Sequence, residues 1–368
     1  MSQRFRILKS IQIHTEHNMN IRKFKEIFDE VQKEHQEAGS LHRDSKVLLV
    51  DGMNLFIRCF SAIPTLNDDG QHIGGLVGFL KSLAATIRMV NPTRVVVVFD
   101  GKGGSLRRKK VYSNYKEQRA MKSRLNRVVG FEDIVDEQQS MKWQISRVYQ
   151  YLQQLPISTI MIDHIEADDV IAYLSSYFQE KVYILSNDRD FLQLVSDKVN
   201  VYVPTKKKMY NPQNLLEEYG IWSENFAIYK AMLGDKSDNI QGIKGMGDKT
   251  ILKNFPQLGE PTKIDLEDFV ESCKLYEGKS KAMNSLKENI DSFETNYQIM
   301  QLEDVDIPSS TKSTIRGLVD GEIDGMSKIN LDKMCLEDKL RSSFPNWDEW
   351  LQTNFKSLDG YKDKNATR

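Results

Sequence analysis

The chain has 368 residues, of which 40% are apolar and 28% charged, so it can build a substantial core and is neither a small cross-linked scaffold nor a disordered chain. No segment approaches the run of about 18 or more apolar residues that a membrane-spanning helix needs, and the first residues do not form a signal-peptide core. The three cysteines are far apart and lack partners at metal-binding spacing, which predicts reduced thiols in an intracellular protein.

Charge is sorted along the chain, although the formal net charge is only −1. Residues 102–127 contain ten lysines or arginines and one acid, Glu117, whereas single carboxylates recur at the ends of apolar runs elsewhere. A basic run is most often a solvated surface, but this sorting also predicts separate cationic and anionic sites.

The first 45 residues predict a helical extension. Ile21, Phe24, Phe28 and Val31 recur at helical spacing, which predicts a helix over residues 22–36. The pattern indicates no function for this extension.

From residue 46 the chain alternates short apolar runs with helical patterns. The apolar runs, which predict buried parallel strands, are residues 46–50, 94–99, 157–162, 181–185 and 199–203. The helical patterns are residues 75–89, 141–154 and 168–178. This alternation predicts an α/β core with a doubly wound parallel sheet over residues 46–205. Residues 101–139 are too long and too basic for an ordinary crossover, so we expect a functional segment there.

A change in character after Pro204 predicts a second domain over residues 206–308. Its helical patterns are residues 214–219, 224–233 and 248–255, and a glycine-rich stretch separates the last two. Residues 309–368 are charged and mostly helical in pattern, and they predict a C-terminal helical extension.

Acids follow the apolar runs where the predicted strands end. Ligands of an open parallel sheet lie beyond the carboxyl ends of its strands, so this edge is the expected functional site. The acids are Asp51, Asp100, Glu166, Asp168, Asp169, Asp188 and Asp190. One aspartate in such a place is usually a turn or a helix cap, but seven carboxylates at one edge repel one another unless cations neutralise them. An all-oxygen ligand set suits two Mg²⁺ or Mn²⁺ ions, which can promote hydrolysis of a phosphodiester.

Two further acids, Asp235 and Asp238, stand three residues apart in the glycine-rich stretch. A helical turn would point both in the same direction, so they are candidates to complete the second metal site. The alternative is an ordinary capped helix end.

Gly242, Gly245 and Gly247 precede the helical pattern at residues 248–255. Glycines let a phosphate approach the backbone, and the N-terminus of the next helix offers unpaired N–H groups to it. The alternative is a plain turn between two helices, and the spacing is not that of a Walker loop.

The basic crossover interleaves cations with aromatic rings, a composition that holds single-stranded nucleic acid through its phosphates and bases. These residues are Arg107, Arg108, Lys109, Lys110, Tyr112, Tyr115, Lys116, Arg119, Lys122, Arg124 and Arg127. A solvated charged helix is the alternative, but the position directly after Asp100 places this segment beside the predicted metals.

Six motifs, in order over about residues 46–308, resemble the flap endonuclease or 5′-3′ exonuclease family, which includes phage 5′ nucleases and the 5′-nuclease domain of bacterial DNA polymerase I. The motifs are Asp51-Gly-Met-Asn, Phe99-Asp-Gly-Lys-Gly, Asn114-Tyr-Lys-Glu-Gln-Arg119, Glu166-Ala-Asp-Asp169, Ser186-Asn-Asp-Arg-Asp190 and the stretch from Gly234 to Thr250. The resemblance implies a PIN-like nuclease core, a helical arch at about residues 102–140 and a helix-three-turn-helix DNA-binding domain. Gln241 stands where the family often has proline.

The resemblance also implies roles for individual residues. It makes the first metal ligands, or the partners of their waters, Asp51, Asp100, Glu166 and Asp168. It makes the second set Asp169, Asp188, Asp190, Asp235 and Asp238. Lys116 and Arg119 resemble the arch cations that steer the scissile phosphate, and Tyr115 resembles a ring that stacks on a terminal base. The expected DNA-binding residues are Tyr115, Arg107, Arg108, Lys109, Lys110, Gly242, Gly245, Gly247 and Lys249, with a K⁺ ion at the glycine hairpin.

These observations and the resemblance together predict a free-standing, phage-type, Mg²⁺-dependent 5′ nuclease that removes 5′ flaps, RNA primers or 5′-terminal nucleotides during replication. The expected partner is branched or nicked DNA with a 5′ flap or 5′ end, with RNA–DNA hybrids and replication proteins as further candidates. A monomer in the cytoplasm, without a membrane partner, is expected. Two alternatives stay open: a catalytically weak junction-binding DNA module, and a PIN-type ribonuclease.

Overall fold

The computed structural model of the chain describes residues 45–117, 125–126 and 130–359. Residues from Lys46 onward belong to one compact unit, Lys46–Arg368. The helix predicted over residues 22–36 and the part of the basic crossover that contains Arg119 lie outside the described residues.

A six-stranded sheet runs through this unit in the order β3-β2-β1-β4-β5-β6. Its strands are β1 (Lys46–Asp51), β2 (Arg94–Asp100), β3 (Ser158–Ile162), β4 (Lys181–Leu185), β5 (Val199–Val203) and β6 (Lys208–Tyr210). The first five are parallel, and they confirm the predicted strands to within one residue at each end. The sequence analysis missed β6, which is short and pairs antiparallel with β5.

Helices cover both faces of the sheet and continue to the end of the described chain. The helices that follow β1 and β2 are α1 (Gly52–Ala62), α2 (Gly74–Val90), α3 (Leu106–Val111) and α4 (Ile134–Leu152). Those that follow β3 and β6 are α5 (Ala167–Tyr177), α6 (Pro212–Tyr219), α7 (Phe226–Leu233), α8 (Asp248–Asn254), α9 (Leu266–Lys274), α10 (Lys281–Glu288) and α11 (Ile290–Met300). The last three are α12 (Ser309–Asp320), α13 (Lys328–Glu337) and α14 (Trp347–Asp359). None of the helices in this part of the chain combines the length and the apolar character that crossing a membrane requires.

The helices predicted after residue 46 are confirmed, with one large difference at a boundary. The pattern placed the start of α4 at residue 141, whereas α4 begins at Ile134 because the side chain of Asp133 caps it, accepting from the backbone N–H of Asp136 at 2.8 Å. Residues 136–140 of α4 are all polar, so the apolar period that reveals a helix starts later than the helix itself.

Each central strand is buried on both faces, which explains its continuous apolar run. Val47 and Leu49 of β1 pack into one hydrophobic cluster, together with α5 and α7. Leu48 and Val50 pack into a second cluster on the opposite face, together with α1, α2 and α4. Side chains along a strand alternate between faces, so helices on both sides demand apolar residues at every position.

The C-terminal helices belong to the same body as the sheet. The helix α12 lies beside the edge strand β3, and Arg94 donates to the backbone oxygen of Val319 at 2.8 Å. On the other face, Asp338 accepts from Arg147 and from Tyr151, each at 2.9 Å, where α13 and α14 pack. The two hydrophobic clusters therefore extend across the predicted boundaries at 205/206 and 308/309, which stay predictions about the organisation of the chain.

Candidate active site

The carboxyl ends of β1 and β2 place two aspartates at one edge of the sheet. Asp51 ends β1, where its side chain accepts from the backbone N–H of Asn54 at 3.0 Å and from Ser186 Oγ at 2.9 Å. Asp100 ends β2, and its Oδ1 accepts from the backbone N–H of Ala167 at 2.9 Å. Each carboxylate is thus held by hydrogen bonds to a neighbouring element, as the topology of a parallel sheet predicts.

The helix α5 begins with three acids. Glu166 occupies the cap position, and Asp168 and Asp169 lie in the first turn. Glu166 and Asp169 are buried, whereas Asp168 is half-buried. The positive end of the helix dipole favours negative charge at this place.

Asp188 and Asp190 follow β4. Asp188 Oδ1 accepts from the backbone N–H of Asp190 at 2.9 Å and so begins the short 3₁₀ turn Arg189–Leu194. Ser186 Oγ donates to Asp51 and accepts from the backbone N–H of Asp188 at 3.0 Å. Ser186 therefore joins the ends of β1 and β4, a role that the sequence analysis missed because serine at a strand end carries no distinctive signal.

Asp188 lies at the centre of a set of mutually repelling aspartates. Burial and the charge of Asp188 raise the pKa of Asp51 to about 7. The same two causes raise the pKa of Asp190 to about 7, against the opposing effect of Lys230, and raise the pKa of Asp168 well above its ordinary value. This edge of the sheet therefore favours the binding of cations.

Arg108 and Lys116, at the start of the basic crossover, reach the acids of α5. Arg108 pairs with Glu166 and contacts Asp169 twice, at 2.6 Å (Nη2 to Oδ1) and 3.0 Å (Nη1 to Oδ2). Lys116 Nζ donates to Glu166 Oε1 at 2.5 Å. Burial raises the pKa of Glu166, but Arg108 and Lys116 outweigh this effect and leave it below its ordinary value. The base of the crossover thus lies against the acidic edge.

The other described cations of the crossover make fewer close contacts with these acids. Arg107 pairs with Asp306 at 2.7 Å and lies 4.0 Å from Asp169. Lys109 and Lys110 are exposed on α3, where they are accessible to a ligand.

Tyr115 is placed differently from the expectation that it stacks on a base. Its side chain is only 3% exposed and packs with Ile240, Ile299 and Met300. Its hydroxyl donates to Glu166 Oε2 at 3.3 Å. In this arrangement the ring is closed to a nucleobase, so stacking requires the segment to move.

The expectation that a helical turn carries Asp235 and Asp238 is wrong. Asp235 and Ile240 instead form an antiparallel bridge, with backbone hydrogen bonds of 2.9 Å and 2.7 Å. The loop that this bridge closes includes Asn239, whose φ of +60° is incompatible with a continuing helix. The backbone oxygen of the buried Asp238 accepts from the N–H of Lys116 at 2.9 Å, so this loop is tied to the crossover.

A buried lysine that was not predicted from the sequence holds Asp190 and Asp235. Lys230 of α7 is 1% exposed, and its Nζ lies 2.9 Å from Asp190 Oδ1 and 2.8 Å from Asp235 Oδ2. Burial lowers the pKa of Lys230, but the two carboxylates outweigh this effect and raise it overall. Burial likewise raises the pKa of Asp235, yet Lys230 and Ser237 bring it down to about 2. The sequence did contain a signal for this pairing, since a lysine inside the apolar helix Phe226–Leu233 can be buried only if it is paired.

Replacement of this lysine by methionine is expected to destabilise the protein. Lys230→Met leaves Asp190 and Asp235 buried without their shared cation, and breaking a buried pair in this way costs about 3–5 kcal/mol. Guanidinium denaturation in metal-free buffer measures the change. The matched control is Lys263→Met, because Lys263 forms an exposed pair with Glu303 that is worth at most about 1 kcal/mol. Equal effects of the two substitutions would show that Lys230 is not a structural centre of the site.

The glycine hairpin before α8 has three glycines with different constraints. A side chain on Gly242 would lie 2.0 Å from the backbone oxygen of Leu233, so no other residue fits there. Gly245 has a φ of +86°, which a side chain rarely adopts. Gly247 has open space around it, and both it and Lys249 are exposed. The hairpin therefore presents bare backbone and a lysine to the surface.

In this structure the acids and cations of this edge form ion pairs with one another. Among residues 45–117, 125–126 and 130–359, no three acidic, histidine or cysteine side chains are grouped closely enough to hold a metal ion in this arrangement. Arg108, Lys116 and Lys230 instead neutralise four of the predicted ligands, Glu166, Asp169, Asp190 and Asp235.

The part of the sequence that forms the sheet and the basic crossover matches a known family. Residues 46–220 match the family described as "5′-3′ exonuclease, N-terminal resolvase-like domain". Over this region the chain is similar to the 5′-3′ exonuclease family, which confirms the resemblance drawn from the six motifs.

Two relatives illustrate how far the similarity extends. A 5′-3′ exonuclease of Aquifex aeolicus is 29% identical over 298 residues, which cover 72% of this chain and 98% of that protein. DNA polymerase I of Bacillus subtilis is 30% identical over 256 residues, 67% of this chain. The chain spans about a quarter (26%) of that polymerase, so the similarity to it concerns only one part.

Solved structures share the fold at lower identity. The flap endonuclease of bacteriophage T5, in a complex with DNA and metal ions, has a TM-score of 0.57 and 21% identity, covering 80% of this chain and 97% of that one. Human GEN1 in complex with Holliday junction DNA has a TM-score of 0.51 and 14% identity, covering 88% and 75%. Together with the sheet, these likenesses confirm the predicted PIN-like α/β fold.

Proposed function

We propose that the protein is a structure-specific 5′ nuclease that depends on divalent metal ions and acts on DNA as both a 5′-3′ exonuclease and a flap endonuclease. The observation that carries this proposal is the set of mutually repelling aspartates around Asp188, which lies directly beside Arg108 and Lys116. Such a site brings metal ions and a phosphodiester together, because each neutralises the charge that faces it.

The donor set at this edge fits hard divalent ions. All donors are carboxylate oxygens, and burial together with repulsion between neighbouring carboxylates raises the pKa values of Asp51, Asp168 and Asp190, which bound cations would counteract. The residues that would hold one ion and its waters are Asp51, Asp100, Glu166 and Asp168, and those that would hold a second ion are Asp188, Asp190, Asp235 and Asp238. When bound, Mg²⁺ or Mn²⁺ would supply a water of lowered pKa and stabilise charge on the leaving oxygen.

The crossover supplies the cations that position the substrate. Lys116, with Arg119 further along the chain, draws the scissile phosphate toward the acids, and the contact of Lys116 with Glu166 is exchanged for that phosphate. Arg107, Lys109 and Lys110 add contacts to the same strand. Water then attacks phosphorus and the P–O3′ bond breaks, leaving a 5′-phosphate and a 3′-hydroxyl.

The glycine hairpin grips the uncleaved duplex through its backbone phosphates. Gly242, Gly245 and Gly247 admit the phosphates to the main chain, Lys249 adds a positive charge, and a K⁺ ion at the hairpin is part of the proposal. The proposed substrates are branched or nicked DNA with a 5′ flap or 5′ end, and RNA primers in RNA–DNA hybrids. Replication proteins are proposed partners of a monomeric enzyme.

Product mapping on a flap substrate tests the proposal as a whole. A DNA flap labelled at its 5′ end is incubated with the protein in Mg²⁺, in Mn²⁺ and in EDTA. We expect cleavage near the junction and at the 5′ terminus in either metal, and none in EDTA. Cleavage that is independent of metal, or binding of the junction with no cleavage in either metal, would contradict the proposal.

A substitution in the hairpin tests the phosphate grip. Gly247→Val adds a branched side chain in open space at a φ of −93°, which any residue adopts, so the fold should survive. We expect duplex affinity to fall by about 10-fold, equally for two unrelated sequences, because phosphate contacts carry no sequence information. Salt titration of the Kd measures it.

The control for this test is Gly317→Val, which adds the same side chain in open space on α12. Gly245 is less suitable because its φ of +86° would add backbone strain to any effect on DNA. Unchanged affinity of Gly247→Val across the salt range would reduce the hairpin to a plain turn between helices.

A further inference from the structure

The two adjacent acids in the first turn of α5 face different surroundings. The charges of Asp188 and Asp51 act on Asp168, so Asp168 faces the acidic edge. Asp169 instead places both carboxylate oxygens on Arg108, at 2.6 Å and 3.0 Å, with Arg107 at 4.0 Å. Consecutive side chains on a helix point about 100° apart, which accounts for the separation.

Asp169 also lines a cleft that the other predicted metal ligands do not line. A cleft of about 600 Å³ lies between α3 and the end of α11 with the chain that follows it, and its walls include Arg107, Arg108, Ile299 and Asp306. Asp169 lines this cleft, whereas none of the other eight predicted metal ligands does. The carboxylate of Asp169 therefore lies beside the first residues of the crossover, although Asp169 directly follows Asp168 in the sequence.

Arg108 is oriented by acceptors on three sides. Its Nε donates to the backbone oxygen of Ile299 at 2.8 Å, Asp169 accepts from both terminal nitrogens, and Glu166 accepts from Nη1. The side chain is 12% exposed. A planar guanidinium held by a carboxylate in this two-point geometry cannot rotate without losing both contacts.

We propose that Asp169 is not a metal ligand but a positioning residue that holds Arg108 toward Glu166. On the proposed function, on which this inference rests, Glu166 turns to a metal ion, and the Nη1 donor that it leaves becomes available to a phosphate oxygen of the substrate. Asp169 and the Ile299 carbonyl keep the guanidinium in place during this exchange, so Arg108 need not be reoriented when DNA arrives.

Metal titration separates this role from that of a ligand. Mn²⁺ binding by Asp169→Ala is measured by isothermal titration calorimetry without DNA, beside wild type and Asp188→Asn. We expect Asp169→Ala to bind the same number of ions with affinity within about threefold of wild type, and Asp188→Asn to lose affinity by about 10-fold or more. Loss of an ion, or a 10-fold weaker affinity, in Asp169→Ala would overturn the proposal.

Single-turnover flap cleavage tests whether Asp169 acts through Arg108. We expect Asp169→Ala and Arg108→Ala each to slow cleavage by about 10- to 100-fold, and the double variant to be no slower than Arg108→Ala. Asp169→Asn, which keeps one acceptor for the guanidinium, should recover part of the rate and serves if the alanine variant does not fold. The proposal would be overturned if the effects of the two substitutions multiplied in the double variant. A wild-type rate in Asp169→Ala would also overturn it. A wild-type protein that binds Mn²⁺ but does not cleave DNA would instead refute the proposed function.

Discussion

Asp188→Asn is expected to abolish cleavage while DNA binding is retained or strengthened. Burial and the charge of Asp188 raise the pKa of Asp51, Asp168 and Asp190, so on the proposed function Asp188 contributes to the charge that attracts the metal ions. On the proposed function, its loss removes a metal ligand from the catalytic centre but also removes a negative charge that opposes the phosphates. We expect the single-turnover rate to fall by at least about 10³-fold, which corresponds to about 4 kcal/mol of transition-state stabilisation.

The fold should tolerate this substitution. Asp188 Oδ1 accepts from the N–H of Asp190, and asparagine retains that oxygen and its cap. The matched control is Asp265→Asn, since Asp265 caps α9 by accepting from two backbone N–H groups, at 2.9 Å and 3.1 Å. The control should cleave at the wild-type rate. Parallel loss of cleavage and of DNA affinity in Asp188→Asn, with an unchanged circular dichroism spectrum, would contradict the metal assignment.

Lys116→Ala is expected to slow single-turnover cleavage by about 100-fold with little change in duplex affinity. Lys116 already lies 2.5 Å from Glu166, so its ammonium group is in place to meet a phosphate beside the predicted metal ligands. The effect should appear in the chemical step because one cation among many contributes little to the affinity of a long duplex. Lys116→Arg should restore only part of the rate, since a planar fork does not reproduce a compact charge.

The backbone at Lys116 requires a control of its own. The residue has a φ of +55°, and its N–H donates to Asp238, so a substitution could act through the loop as well as through the ammonium group. Lys116→Gln keeps the length of the side chain and much of its backbone preference while removing the charge, and it should match Lys116→Ala. Rates within about threefold of wild type for both variants would show that this lysine contributes only to the surface.

The sequence alone determined the five parallel strands of the sheet and the edge at which its acids lie. Apolar runs identified five strands because a strand buried on both faces must be apolar at every position, as Leu48 and Leu49 are. The acids were then located without side-chain geometry, since the carboxyl ends of parallel strands share one edge. The glycine-rich stretch and the crossover stood out by composition.

The tertiary structure decided which charges meet. That Lys230 lies between Asp190 and Asp235, that Asp169 turns to Arg108, and that Tyr115 is buried depend on how α7, α3 and α11 pack across the sheet. Asp168 and Asp169 are indistinguishable in the motif that contains them, because a sequence spacing defines an angle along the helix but not what lies on each side of it. Pairing between residues about 60 positions apart, such as Arg108 and Asp169, is set by long-range packing, to which local patterns do not respond.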